Sequence, residues 1–155
     1  MGGFSAERRP VRTGDVLSVE VQSLADGPDA LCLVDGYVVF VQLALPGERV
    51  RVRVLSAGRK HGRAELLAVE RASPERVSAR CSHFGSCGGC DFQVLSATAQ
   101  QRVKTQRVAK ALAFALKVPA DTLPIRPLAA PPDPWGQRNK IALVLHPDPE
   151  RYLRA

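Results

Sequence analysis

The run Asp35-Gly36-Tyr37-Val38-Val39-Phe40-Val41-Gln42-Leu43-Ala44-Leu45-Pro46-Gly47-Glu48-Arg49-Val50-Arg51-Val52-Arg53-Val54 decides how this chain folds. Asp35-Gly36 lies between two apolar runs, Ala30 to Val34 and Tyr37 to Gln42, and signals a two-residue hairpin turn, because glycine takes a positive φ without penalty. Pro46-Gly47 makes the next turn. Arginine and valine then alternate. Since side chains in a strand point to opposite faces with a period of two, Val50, Val52 and Val54 are to be buried while Arg49, Arg51 and Arg53 are exposed.

Upstream, Val16, Val19 and Val21 open a first strand, which runs into a loop at Asp26-Gly27-Pro28-Asp29. Downstream, the basic turn Gly58-Arg59-Lys60-His61-Gly62-Arg63 leads into a fifth strand from Ala64 to Arg71. Five short strands with close turns between residues 13 and 73 predict a small closed or nearly closed β-barrel of OB type. Residues 1–12 read as a flexible basic leader.

At 155 residues the chain holds one ordinary domain, or one small domain and part of another. Its formal net charge of +7 and pI near 9.7 suit a polyanionic partner, nucleic acid before others. Arg49, Arg51, Arg53, Arg59, Lys60 and Arg63 are the candidate phosphate contacts, read against a merely solvated face that discourages strand pairing. Tyr37 and Phe40 are of a type that stacks on bases or packs in a core. No run approaches the ~18 apolar residues of a membrane span, and no secretory signal opens the chain, so the expected place of work is the cytoplasm.

After Ser73-Pro74-Glu75 comes Cys81-Ser82-His83-Phe84-Gly85-Ser86-Cys87-Gly88-Gly89-Cys90. Three thiols on a short glycine-bearing loop, in a chain with four cysteines, suit metal or cluster ligation in a reducing compartment better than a disulfide framework. The spacing leaves an iron–sulfur cluster, zinc, a redox pair and an unliganded loop all open. His83 is a possible fourth zinc ligand, read more readily as a loop residue. Cys32, inside a barrel strand, reads as a small buried thiol.

Ser96 is placed to cap a helix over 97–117. On the helical wheel Val108, Ala109, Leu112, Ala115 and Leu116 share one arc, with Arg102, Lys104, Arg107, Lys110 and Lys117 opposite. A proline-rich connector follows. Then comes Pro134-Trp135-Gly136-Gln137-Arg138-Asn139-Lys140, opening a strand over 139–145. Arg138 and Lys140 suit phosphate, and Asn139 a base edge or a turn.

Three blocks together carry a resemblance. The stretches Asp35 to Val41 and Ala44 to Val50 are similar to the TRAM domain, a small RNA-binding barrel. The cysteine loop, continued by Asp91-Phe92-Gln93, Leu95-Ser96 and Gln100, resembles the iron–sulfur segment of bacterial 23S ribosomal RNA (uracil-5-)-methyltransferases. The Trp135 block resembles that family's Pro-x-Gly-Tyr-Arg-Asn-Lys block, with Gln137 in place of tyrosine.

The resemblance implies a mainly β fold with some α: an OB-like five-stranded TRAM barrel over 13–73, then a partial α+β iron–sulfur-binding domain over 74–155. It also implies a [4Fe–4S] cluster on Cys81, Cys87 and Cys90 with a fourth ligand from elsewhere. RNA, and 23S rRNA in particular, would be the partner, gripped by the basic residues already named together with Arg138, Asn139 and Lys140. In the full-length family a catalytic cysteine adds to the uracil ring and S-adenosylmethionine supplies the methyl group. No cysteine follows Cys90 and no glycine-rich donor-binding turn is evident, so no catalytic residue is assigned. The expectation is the RNA-recognising front part of such an enzyme, ending partway through its central domain and inactive alone. Other readings are a stand-alone TRAM-type RNA-binding protein, its loop holding zinc or nothing, and a non-functional truncated gene product.

Overall fold

The computed structural model describes residues 10–86, 89–129 and 135–136. Five strands, β1 (Val16–Leu24), β2 (Ala30–Val34), β3 (Tyr37–Val41), β4 (Arg49–Ala57) and β5 (His61–Arg71), close into a barrel in the order β1-β2-β3-β5-β4. All neighbours are antiparallel except β3 and β5, which run parallel. This is the OB-like barrel expected from the strand spacing.

Alternation decides the inside. Val50, Val52 and Val54 are 0–1% exposed, and they meet Val39, Val41, Cys32 and Ala30 from β3 and β2. Val16 does not join them: its side chain is 52% exposed, and Val19 and Val21 supply the first strand's share of the core. Asp35 and Gly36 both have positive φ, 48° and 80°, the conformation a two-residue hairpin demands. The β4–β5 ladder slips in three places, and such bulges tighten the twist that lets two long strands wrap a narrow core.

The chain divides into two compact units. The first reaches Ser78 and takes in Asp91–Leu95; the second begins at Ala79, is interrupted there, and resumes at Ser96. In the first, Glu48 is fully buried at the end of the barrel. Its carboxylate accepts from the backbone N–H of Leu45 and Ser73, and from the Arg76 guanidinium at Nε and, at 2.8 Å, Nη2. Arg76 also donates to the Leu43 carbonyl, on a residue held at φ 64°. Both oxygens of the buried carboxylate are therefore matched, as burial of charge requires.

In the second unit, helix α1 spans Ala97–Leu116. Ser96 Oγ accepts from Ala99 N at its start, and Lys117 ends it in the left-handed conformation at φ 56°. The expected apolar arc is present but barely covered among the described residues: Val108 and Leu112 are each 40% exposed and Leu116 59%. The earlier part of the helix takes the connector instead. Gln101 Nε2 donates to Leu128 O, and Leu128 N donates to Thr105 Oγ1. The expected strand over 139–145 lies outside the described residues.

Candidate functional site

Two outward surfaces of the barrel carry chemistry, and the strand registers build both. The first covers β1, β4 and β5. Arg49, Arg51 and Arg53 project from it as the alternation requires, opposite Glu20, Ser18 and Val16 on β1. Two of the three are paired with carboxylates. Arg53 reaches Glu65 at 3.1 Å and Arg49 reaches Glu70 at 3.5 Å, while Glu70 also accepts from Ser18 Oγ. Arg71 pairs with Glu20 at 3.0 Å. Among the described residues Arg51 has no carboxylate partner. Sequence reasoning found the arginine row but not its glutamates, which reach it only through the β4–β5 ladder.

The basic turn after β4 is different. Arg59 and Lys60 are exposed, and neither has a carboxylate partner among the described residues. The turn is built rigidly beneath them. Gly58 N donates to His61 O, and the Tyr37 hydroxyl donates to Gly58 O at 2.8 Å. A side chain at Gly62 would lie 2.9 Å from the Ser56 carbonyl and 3.2 Å from the Tyr37 ring, so only glycine lets this corner close. Tyr37 is thus a core residue that supports the turn. Arg63, next along β5, is tied to Asp29 at 3.3 Å.

The second surface spans β2, β3 and β5, where apolar side chains face outward. Leu31 and Leu33 on β2 lie beside Phe40 and Val38 on β3, which lie beside Arg63 and His61 on β5. Leu33 is 41% exposed. The Phe40 and His61 rings meet edge to face, their centroids 5.4 Å apart.

The cysteine segment leaves the first unit after Ser78 and rejoins it at Asp91. Its two attachments are pinned together: Arg76 bridges Leu95, and Val77 N donates to Val94 O at 2.8 Å. Within the loop, Phe84 N donates to Cys81 O and Ser86 N to His83 O, successive turns that curl the chain. Cys81 is partly exposed, Cys90 is exposed, and neither forms a disulfide. Cys87 lies outside the described residues, and among those described no three potential ligands gather into a metal group. The donor set fits an iron–sulfur group in its chemistry, since accessible cysteine thiols on a loop closed at its base are what such a group takes. Cys32 is fully buried, and burial pushes its thiol up to about 11, so it takes no part. His83 is exposed. Arg80, beside Cys81, lies over the Trp135 ring at 4.9 Å. Arg138, Asn139 and Lys140 fall outside the described residues.

A family model described as TRAM domain matches residues 10–67, from ahead of β1 into β5. An uncharacterized RNA methyltransferase of Halalkalibacterium halodurans is 38% identical, over 88% of this chain and 30% of the relative. A 23S rRNA (uracil(1939)-C(5))-methyltransferase of Shewanella denitrificans is 36% identical, over 84% of this chain and 28% of the relative. An uncharacterized RNA methyltransferase of Gloeobacter violaceus is 35% identical over 96% of this chain. The chain thus spans about 30% of the length of the curated relatives it matches. The solution structure of a conserved protein of Methanococcus maripaludis is 29% identical, with a TM-score of 0.40, covering 42% of this chain and 93% of that one. No helix among the described residues is long and apolar enough to cross a membrane.

Proposed function

From a chain that carries a TRAM domain over residues 10–67 and matches RNA methyltransferases over most of its length, we propose the RNA-gripping part of a uracil-5 methyltransferase acting on 23S rRNA in the cytoplasm. The observation that carries this is the closed TRAM barrel with a rigid basic turn whose Arg59 and Lys60 are left unpaired among the described residues. Cations held at a fixed turn and not neutralised internally are available to phosphate. Arg51 adds a third such cation, while Arg49, Arg53 and Arg63 are held by carboxylates of the barrel. Arg138, Asn139 and Lys140 extend the grip.

The cysteine loop is the second part of the reading. Cys81, Cys87 and Cys90 would hold a [4Fe–4S] cluster with one further ligand, a group that cross-links the segment it is bound to. Methyl transfer from S-adenosylmethionine is proposed for the whole protein, of which this chain supplies recognition.

Fluorescence anisotropy with a labelled 23S rRNA fragment, across a salt series, tests the RNA reading. Contacts by Arg51, Arg59 and Lys60 give a slope of log affinity on log salt of about −2 to −3, at ~0.7 per neutralised phosphate of a single strand and ~0.9 for a duplex. Absence of binding at low salt, or binding indifferent to salt, overturns it. Iron and sulfide analysis after anaerobic purification tests the cluster; thiol-only protein would count against that part.

A further inference from the structure

We propose that the outward face of β2, β3 and β5 is a base-stacking platform, on which Phe40 and His61 receive unpaired nucleotides of single-stranded RNA. The inference rests on the RNA-binding reading above and gives that reading its substrate class. Outward positions on a small barrel strand meet water, and alternation normally fills them with polar residues. Here two ranks of side chains cross three strands. One is Leu31, Phe40 and Arg63; the other is Leu33, Val38 and His61. Four of the six are apolar, and the two rings sit diagonally, edge to face at 5.4 Å. An edge-to-face pair leaves one ring face open beside an upright neighbour, a corner of the shape that a flat base fills.

The rim identifies the occupant. Arg59 and Lys60 stand two residues and one residue before His61 on a turn fixed by the Tyr37 hydroxyl, and Arg63 stands two residues after it. Cations at the edge of an aromatic and aliphatic surface match a nucleotide, whose charge and π-face lie on opposite sides of its sugar. An apolar protein surface seated on the same patch would desolvate Arg59 and Lys60 without matching them, whereas a nucleotide's phosphate matches both. Bases in a duplex are stacked within it and cannot reach the rings, so the platform selects unpaired RNA.

The test compares Phe40→Ala, His61→Ala and Phe40→Leu with the unaltered 155-residue chain. Affinity is measured for an unstructured RNA oligonucleotide and for a duplex carrying the same number of phosphates. Losing one stacked base lowers single-strand affinity by about 5- to 150-fold. Phe40→Ala should show such a loss, with the salt slope unchanged and duplex binding intact, and Phe40→Trp should restore affinity. Phe40→Leu keeps apolar packing while removing the ring, so it gives the same loss even where Phe40→Ala perturbs folding.

Equal single-strand affinity in Phe40→Leu and the unaltered chain overturns the platform. If Arg59→Gln/Lys60→Gln still weakens binding in that case, the RNA reading survives without it. An unaltered chain that binds neither RNA defeats both readings. A self-associating chain that Phe40→Leu renders monomeric, with RNA binding unchanged, assigns the face to a protein contact and overturns the proposal.

Discussion

The two walls of the barrel grow from the same alternation and end with opposite characters. Across β1, β4 and β5, Arg49, Arg51, Arg53 and Arg71 are interleaved with Glu20, Glu65 and Glu70, so three of the wall's four arginines are answered on the spot. Across β2, β3 and β5 almost no charge is present, and the rings of Phe40 and His61 face outward with two leucines. Net basicity is therefore a poor guide to where RNA sits. What counts is the charge left over after strand register has paired the rest, and on the barrel's strands and turns, among the described residues, that lies at Arg51, Arg59 and Lys60.

The largest expected effect sets buried charge against the wall's exposed charge. Removing the carboxylate with Glu48→Ala strands the Arg76 guanidinium and the N–H groups of Leu45 and Ser73. It should cost about 3 kcal/mol in urea or thermal unfolding, typical of breaking a buried pair from one side. Burial alone would raise the Glu48 carboxyl, but the Arg76 guanidinium and the two backbone donors outweigh it and hold it below its ordinary 4.5. A depressed carboxyl contributes fully above that ordinary value and loses its contribution as the pH falls toward the folded one. Wild-type stability should thus fall below pH 4.5 more steeply than that of Glu48→Gln. Parallel acid profiles would show that the pair does not hold the barrel's end together.

Next in size is the turn. Arg59→Gln/Lys60→Gln should lower the salt slope for RNA by about 2, near one unit per phosphate contact, without changing the melting temperature appreciably. Neither residue packs against the core. A slope unchanged by this pair would move the contact back to the arginine wall.

How much of this the sequence discloses depends on how far apart the interacting residues lie. The Val50, Val52, Val54 row and the Asp35-Gly36 turn are local patterns, and both stand as read. The Ser96 cap and the start of α1 are local too. Phe40 is ambiguous in the sequence because β3 is apolar on both sides: Tyr37, Val39 and Val41 point inward, while Val38 and Phe40 point outward. Period two cannot choose between two apolar rows; the Tyr37 contact with Gly58 and the close approach at Gly62 do. Glu48 and Arg76 are separated by 28 residues, and no spacing rule joins them. The glutamates of the wall were hidden by the slips in the β4–β5 ladder, since each slip changes which residue of β5 faces a given arginine.

The arginine row gives a smaller effect, and it discriminates more sharply. Replacing Arg49, Arg51 and Arg53 together by glutamine should lower the salt slope by about 1, because only Arg51 is free of a carboxylate partner among the described residues. A fall of about 3 would mean that RNA strips the glutamates away and uses the whole row.

The smallest expected effect explains why the wall is built this way. Glu65→Gln and Glu70→Gln each break one solvent-exposed pair, worth about 0.2–1 kcal/mol, so the melting temperature should barely move. The same two changes release Arg53 and Arg49. In that background the triple arginine replacement should remove about 3 units of salt slope instead of about 1, and the difference between the two backgrounds measures the coupling directly. If the glutamates are there to keep RNA off this wall, their removal also raises affinity for duplex and single strand alike, because phosphate contact does not distinguish them. If affinity stays put and the slope does not grow, RNA never approaches β4, and the pairs only balance a charged strand in water.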